Sequence, residues 1–358
     1  MDKVLSNQSA EVTEMARVLW IDDSAPDPER KATIARLQRH ARGIRIQAVH
    51  PGELPPNAVE WTVQGKSPDL VLVDYNLSLK TYNGSQFSRG GLSVAAQIRE
   101  AMPEIPIFGF SVDAEGQDLT NLSPFARWIF DLTLPYGRLQ EARSGEWLIR
   151  ESKWYAAMRD ADLRPQDPSS FVMPLRAPNS SANKMVEVVR SDFLPLPYLF
   201  GGSSNIGFAK WLRLVLLDRP GPLWPTSYML SVIGVRAKAL PAIRARLRPA
   251  LYQGAFADIA SERWWSKEVI DIIEKSATSK DRLGPQLSAA AASGLGLSDK
   301  AQAPCAVCAK WYPDCAATRP GSQGEWFPAH FSCSVHDPER PDRLHFDEPR
   351  ILIPRNTV

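Results

Sequence analysis

The sequence predicts an α/β fold for the amino-terminal part of the chain, built on a doubly wound five-stranded parallel sheet, together with an all-α middle domain and a small zinc-binding module. Short, almost continuously apolar segments alternate with helical segments, which is the pattern of parallel strands covered by helices on both faces. The predicted strands lie at residues 17–21, 44–49, 69–74, 105–111 and within 125–133. Helical spacing in the middle region predicts helices at residues 207–217, 227–235, 240–251 and 262–275.

Changes in composition along the chain predict the domain boundaries. We expect the α/β domain at residues 16–162, a linker at 163–190, a helical domain at 191–285 and a cysteine- and histidine-rich module at 300–345. The linker is predicted because Arg164–Lys184 is rich in Pro, Ser and Asn.

Charge and hydropathy exclude some classes of protein. The 358 residues carry a formal net charge of +2, whereas a chain that coats nucleic acid usually has a strong basic excess. The segment Met1–Glu14 lacks the apolar core of a signal peptide, and no run of about 18 apolar residues occurs. We therefore expect a cytoplasmic protein with no membrane segment.

Acidic residues occupy the carboxyl ends of two predicted strands. Asp22 and Asp23 follow the first strand, and Asp74 ends the third. Ligands of doubly wound sheets bind at this edge, so the three carboxylates are expected to converge there if the two strands are neighbours. Their mutual repulsion requires a cation, and Mg²⁺ suits a site made of oxygen atoms. A carboxylate in such a site can act as a nucleophile and form an aspartyl phosphate.

Four segments of the chain together resemble the receiver domains of two-component response regulators, over residues 16–140. They are Val18–Asp23, Leu70–Asp74, Gly90–Leu92 with the helix that follows, and Pro106–Ser111. The resemblance implies the receiver fold and a bacterial signalling protein. It also implies that the phosphoryl group comes from a partner histidine kinase or another phosphodonor.

The same resemblance implies a role for each residue at the site. Asp74 would be the phosphoryl acceptor, and Ser111 would bond a phosphoryl oxygen. Asp22 and Asp23 would bind Mg²⁺ together with Asp74 and the carbonyl group of Asn76.

Two features depart from the family pattern. A lysine usually precedes a proline at the end of the fifth strand, but here Leu134 precedes Pro135, so the cation is missing. Its absence is expected to slow phosphoryl transfer or to weaken the structural response. The loop Ser78–Arg89 is also enlarged. Lys80 or Arg89 could bring a substitute charge, although a solvated loop is the interpretation we favour.

The cysteines and histidines near the carboxyl terminus have metal-ligand spacing. A Cys-x-x-Cys pair is followed by a His-x-x-Cys pair, which resembles one half of a LIM-type or treble-clef zinc finger. The predicted ligands are Cys305, Cys308, His330 and Cys333, with Cys315 and His336 as further candidates, either of which could replace His330. Four such ligands close a structural zinc site and leave no position for a reacting water.

Three functions remain open. The leading one is a response regulator phosphorylated on Asp74, whose helical and zinc-binding regions act through contacts with a protein partner. No residue indicates an enzymatic output, and a homodimer is left open. The second is a scaffold that is never phosphorylated. The third is a DNA-binding effector that uses the zinc module together with a basic stretch. The residues of this stretch are Arg236, Lys238, Arg244, Arg246 and Arg248. For the basic stretch itself, we favour the interpretation of a solvated helix face over DNA binding.

The middle region is rich in aromatic residues at helical spacing, which favours core packing. Trp264 and Trp265 are adjacent within a predicted helix. Adjacent side chains on a helix point in different directions, so at least one of these two rings is expected to lie at an interface.

Overall fold

The computed structural model describes residues 15–55, 57–77, 81–82, 85–86, 90–111, 129–164, 167, 169–189, 204–218, 220–277, 287–311, 315–318, 326–330, 333–336 and 350–352. The chain divides into two compact units. One is formed by residues 1–163 and 195–210, and the other by residues 164–194 and 211–358. Among the described residues, no helix has the length and apolar character needed to span a membrane.

A five-stranded parallel sheet lies at the centre of the first unit. The strands of this unit are β1 (Ala16–Ile21), β2 (Ile44–Val49), β3 (Leu70–Asp74), the short hairpin β4 (Thr81–Tyr82) and β5 (Ser85–Gln86), β6 (Ile107–Ser111) and β7 (Leu132–Pro135). The sheet has the order β2-β1-β3-β6-β7, a doubly wound arrangement that binds ligands at the carboxyl ends of its strands. The predicted five-stranded parallel sheet is confirmed.

The register of the sheet sets which residues share its carboxyl edge. Ile21 at the end of β1 pairs with Val73 of β3, and Asp74 pairs with Phe110 of β6. All residues of β3 and β6 are buried, as expected for strands covered on both faces. The residues that follow β1 and those that end β3 and β6 therefore meet at one edge.

Among the described residues, the helices along the chain from β1 to residue 163 are α1 (Pro28–His40), α2 (Gly91–Ala101), α3 (Tyr136–Gln140) and α4 (Ser144–Arg159). Helix α2 begins against the backbone of β3. A Cβ atom at Gly91 would lie 2.1 Å from the carbonyl oxygen of Asp74, so only glycine allows this close approach. The start of α2 is therefore fixed beside the end of β3.

The second unit is mainly helical. Its elements, with helix α7 that leads into it, are α5 (Ser169–Val172), α6 (Asn179–Val188), α7 (Ser204–Trp211) continued by a π-helical segment (Leu212–Leu216), β8 (Leu223–Pro225), α8 (Thr226–Val232), α9 (Leu240–Leu247), β9 (Arg263–Trp265), α10 (Ser266–Ser276) and α11 (Leu287–Gly294). Short 3₁₀ turns lie at Pro51–Glu53, Ala58–Glu60, Met173–Leu175, Ala237–Ala239, Arg248–Ala250 and Asp299–Ala301. The part of the chain predicted as a linker contains α5 and α6. Phe171, Leu175 and Met185 are buried there, so this segment packs into the fold.

The prediction of an all-α middle region is wrong at one place. Strands β8 and β9 pair antiparallel, with Trp224 opposite Trp264. Trp264 and Trp265 are both buried, because successive side chains of a strand point to opposite faces and both faces are covered here. The expected interface position for one of these rings is therefore also wrong.

Two small antiparallel sheets complete the described chain. Strand β10 (Cys315–Thr318) pairs with β11 (Phe327–His330), and β12 (Ser334–His336) pairs with β13 (Arg350–Leu352). The first of these sheets carries one of the predicted zinc ligands, His330, at the end of β11.

Gly91→Ala tests the contact between α2 and β3. The added methyl group would collide with the Asp74 carbonyl group, so we expect the free energy of unfolding of the first unit to fall by about 2 kcal/mol. Chemical denaturation followed by circular dichroism measures the change. Gly90→Ala is the matched control, because nothing lies within 4 Å of a Cβ atom there. Equal stability of the two variants would contradict the contact.

Candidate functional site

Three carboxylates converge at the carboxyl edge of the main sheet. Asp22 and Asp23 follow β1, and Asp74 ends the neighbouring strand β3. A carboxylate oxygen from each lies within 4.8 Å of the others. The exposed fractions of Asp22, Asp23 and Asp74 are 0%, 9% and 5%, respectively, so water does little to screen the repulsion between their charges. The convergence follows from the parallel pairing of β1 with β3.

Local hydrogen bonds orient each carboxylate. The backbone amide of Ser24 donates to Asp22 Oδ1 at 2.7 Å, and the indole Nε1 of Trp20 donates to Asp22 Oδ2 at 3.2 Å. The Ser24 hydroxyl group donates to Asp23 Oδ1 at 3.3 Å. The backbone amide of Asn76 donates to Asp74 Oδ1 at 2.9 Å. The three acids are therefore held in fixed positions.

Ser111 lies at the end of β6 and is fully buried. The side-chain amide of Asn76 donates to its Oγ atom at 3.1 Å. Asn76 thus contacts Asp74 through its backbone and Ser111 through its side chain. The structure brings both residues to the same edge as the three aspartates.

The crowding of acids changes the proton affinity of Asp74. Burial, reinforced by the neighbouring charge of Asp22, raises the pKa of Asp74 to about 7. The backbone amide of Asn76 and the guanidinium group of Arg30 act in the opposite direction. Close, buried oxygen donors with excess negative charge are the donor set that fits Mg²⁺.

Arg30 belongs to this site, although the sequence analysis missed it. It lies in the first turn of α1, and its Nε atom is 2.7 Å from Asp22 Oδ2. Its guanidinium carbon lies 3.7 Å from the centroid of the Tyr136 ring. An arginine near the start of an amphipathic helix has no pattern that distinguishes it from a surface residue, and only its burial reveals the role.

The end of β7, where the receiver resemblance leads one to expect a lysine, is also described. Leu134 is buried in β7 and pairs with Phe110 of β6. The two residues considered as substitutes, Lys80 and Arg89, lie outside the described residues. Within the described part of the chain, Arg30 is the cation that contacts an aspartate of this site.

A second cluster contains Cys305, Cys308, His330 and Cys333. One ligand atom from each lies within 4.8 Å of the others. His330 Nδ1 is 3.4 Å from Cys308 Sγ and 3.7 Å from Cys333 Sγ. A tetrahedral zinc ion with Zn–S about 2.3 Å and Zn–N about 2.0–2.1 Å separates sulfur from nitrogen by about 3.6 Å, so the cluster fits zinc.

A tight turn presents the first pair of cysteines. The amide of Ala309 donates to the carbonyl oxygen of Cys305 at 3.0 Å, and the amide of Val307 lies 3.4 Å from Cys305 Sγ. Burial and the neighbouring thiols of Cys305 and Cys308 raise the pKa of Cys333 to about 11. A cation bound at this position would favour the thiolate form of these side chains. Of the further candidates, Cys315 pairs with His330 across β10 and β11, and His336 lies in β12.

Part of the basic stretch is bound to the protein's own groups. Arg236 Nε donates to the carbonyl oxygen of Gln302 at 2.7 Å, and Arg244 forms an ion pair with Glu262. Arg246 Nη1 donates to the carbonyl oxygen of Gly294 at 3.4 Å. These contacts fit the favoured interpretation of a solvated, structural helix face.

No protein-family model and no curated protein matches the sequence. Solved structures similar to part of the chain include the response regulator protein TrrA from Thermotoga maritima in complex with Mg²⁺–BeF, at 22% identity over 34% of this chain and 86% of that chain, with a TM-score of 0.24. A response regulator receiver domain protein from Clostridium thermocellum is 16% identical over 39% of this chain and 98% of that chain, with a TM-score of 0.27. A receiver protein from Sinorhizobium medicae is 22% identical over 39% of this chain and 99% of that chain, with a TM-score of 0.26.

The raised pKa of Asp74 makes stability depend on pH. A carboxyl group with a raised pKa binds its proton more tightly in the folded state, so its contribution to folding is lost as the pH rises towards the folded-state pKa. Without divalent cations, we expect the free energy of unfolding to fall by about 2 kcal/mol from about pH 5 to about pH 8, relative to Asp74→Asn. Chemical denaturation of both proteins in a chelator measures the difference.

The control for this measurement is Asp69→Asn. Asp69 directly precedes β3, at the edge of the sheet opposite Asp74, and forms an ion pair with Arg17. This variant therefore makes the same carboxylate-to-amide change away from the acidic site. If wild type and Asp74→Asn lose stability equally with rising pH, Asp74 is not the titrating group.

Proposed function

We propose that this protein is a response regulator in which Asp74 accepts a phosphoryl group from a partner histidine kinase or a small acyl phosphate. The observation that carries the proposal is the convergence of Asp22, Asp23 and Asp74 with Ser111 at one edge of the parallel sheet. We further propose that the helical and zinc-binding regions act on a protein partner according to the state of Asp74.

The acceptor step needs a nucleophile and a leaving group. A carboxylate oxygen of Asp74 attacks phosphorus, and the bond from phosphorus to the donor breaks. The donor, an imidazole nitrogen or an acetate oxygen, leaves with the electron pair of that bond. The product is an acyl phosphate on Asp74, formed without any net change in oxidation state.

The other site residues hold the acceptor and bind the transferred group. Asp22, Asp23 and Asp74 would hold Mg²⁺ together with the carbonyl group of Asn76. When bound, Mg²⁺ supplies positive charge that offsets both the aspartates and the incoming phosphoryl oxygens. The Ser111 hydroxyl group would donate to a phosphoryl oxygen. The amide of Asn76 keeps one Asp74 oxygen in place, which leaves the carboxylate oriented for attack.

A zinc ion in the second cluster would be structural. Three sulfur atoms and one nitrogen supply a complete tetrahedral set, which leaves no position for a water nucleophile. The surrounding strands have only three or four residues each, so the module has little core of its own. Such modules depend on the metal for folding.

A phosphorylation-independent scaffold is the second candidate. Leu134 favours it, because the end of β7 offers no lysine to a phosphoryl group. The two candidates predict opposite results in a phosphoryl-transfer experiment.

Acetyl phosphate with Mg²⁺ tests the acceptor. We expect intact-mass measurements to find one base-labile phosphate on the wild type and none on Asp74→Asn, because the nucleophile is removed. Asp69→Asn is the control and is expected to label like the wild type. Labelling that persists in Asp74→Asn moves the acceptor elsewhere. A wild type that stays unlabelled with acetyl phosphate and with histidine-kinase donors supports the scaffold instead.

Elemental analysis of protein purified without chelator tests the second cluster. We expect one zinc ion per chain and its loss in Cys308→Ser, together with faster proteolysis of residues 305–336 because folding and metal binding are coupled. The matched control is Cys315→Ser, which keeps the ion if the ligand set is right. Zinc lost from Cys315→Ser and retained by Cys308→Ser would overturn the assignment.

A further inference from the structure

We propose that Arg30 supplies the positive charge that the phosphoryl group on Asp74 requires, from helix α1 instead of from a lysine at the end of β7. This inference rests on the proposed function and deepens it by naming a residue that binds the phosphoryl group. The inference is based on the position of the Arg30 guanidinium group, which lies between the acidic edge of the sheet and the end of β7.

Arg30 is part of the interior of the first unit. Its side chain is only 8% exposed, and its Nε atom lies 2.7 Å from Asp22 Oδ2. Burying a guanidinium group is unfavourable unless an opposite charge accompanies it. The contact with Asp22 therefore makes Arg30 a component of the acidic site.

Tyr136 holds the guanidinium group from the other side. The ring lies 3.7 Å from the guanidinium carbon, a distance suited to a cation–π contact. Tyr136 directly follows Pro135, the last residue of β7, and its hydroxyl group donates to Thr33 Oγ1 at 3.1 Å. Thr33 lies one helical turn after Arg30, so α1 and the end of β7 are tied together at this point.

The Tyr136 ring is itself fixed by aromatic neighbours. Its centroid lies 6.4 Å from that of Trp20 in β1 and 6.1 Å from that of Phe110 in β6. Phe110 in turn pairs with Leu134, the position that lacks the lysine. The guanidinium group of Arg30 therefore packs beside the end of β7, on aromatic rings that contact one another, although β7 itself contains no cationic residue.

Arginine is suited to this task. A guanidinium group has five N–H donors in a planar arrangement and binds phosphate oxygens in pairs. Before phosphorylation, Arg30 offsets the charge of Asp22. A Mg²⁺ ion on Asp22 would compete with Arg30 for that charge, and a phosphoryl group on Asp74 would offer the guanidinium group new acceptors. Arg30 therefore opposes Mg²⁺ binding to the empty site and favours the phosphorylated state.

Two measurements on the full chain separate this role from a structural one. With acetyl phosphate and Mg²⁺, we expect Arg30→Gln to label about ten- to a hundredfold more slowly than the wild type, since charge-assisted hydrogen bonds to the phosphoryl group are lost. In a Mg²⁺ titration without phosphodonor, the same variant should bind Mg²⁺ about threefold more tightly, since a competing charge is gone. The indole N–H resonance of Trp20, which contacts Asp22, reports that titration.

Arg39→Gln is the matched control, because it removes the same charge from an exposed position of α1. It is expected to match the wild type in both measurements. A merely structural role for Arg30 would not tighten Mg²⁺ binding while slowing labelling.

Leu134→Lys in an otherwise unchanged chain gives an independent test that does not depend on the folding of Arg30→Gln. If Arg30 already supplies the charge, this variant labels within about twofold of the wild type. A second comparison uses Arg30→Gln itself: where that variant is folded, Arg30→Gln/Leu134→Lys labels faster than Arg30→Gln. The inference is overturned if Arg30→Gln labels as fast as the wild type, or if Leu134→Lys labels tenfold faster than the wild type. Either result leaves the proposed function intact. A wild type that is never labelled overturns both.

Discussion

The balance of charge at one edge of the sheet constrains the rest of the first unit. Asp22, Asp23 and Asp74 are buried within a few ångströms of one another, and like charges at that distance are unfavourable unless they are offset. Backbone amides of Ser24 and Asn76 and the indole of Trp20 supply partial positive charge. The guanidinium group of Arg30 lies 2.7 Å from Asp22 and supplies a full positive charge. A divalent cation bound by the three carboxylates would complete the balance.

The same constraint explains why secondary elements meet so closely around the edge. Arg30 must be buried to reach Asp22, which fixes the first turn of α1, and Tyr136 packs on Arg30, which fixes the chain leaving β7. On the other side, Gly91 lets α2 begin against the carbonyl group of Asp74. A change in the charge of Asp74 would therefore act on the start of α2 and, through Arg30, on α1 and on the chain that follows β7.

The second unit is organised by different forces. Its described core consists of aromatic and aliphatic side chains around the paired strands β8 and β9. The region that contains the short strands β10 to β13 instead brings four metal-ligand atoms together. Burial of apolar area stabilises the first arrangement. The second has few buried side chains among the described residues, and a tetrahedral ion would supply the missing cross-links.

The sequence by itself determined the parallel sheet, because alternating apolar strands and helices are a local pattern and parallel strands necessarily direct their carboxyl ends to one edge. It also determined the grouping of Asp22, Asp23 and Asp74, and of the cysteines with His330, because strand order and close spacing bring these residues together. Only the tertiary structure decided that Arg30 joins the acids, since a single arginine on a helix has no periodic or spacing signal. It also decided that Arg263–Trp265 is a strand, because pairing with distant residues overrides a helical pattern in a short segment.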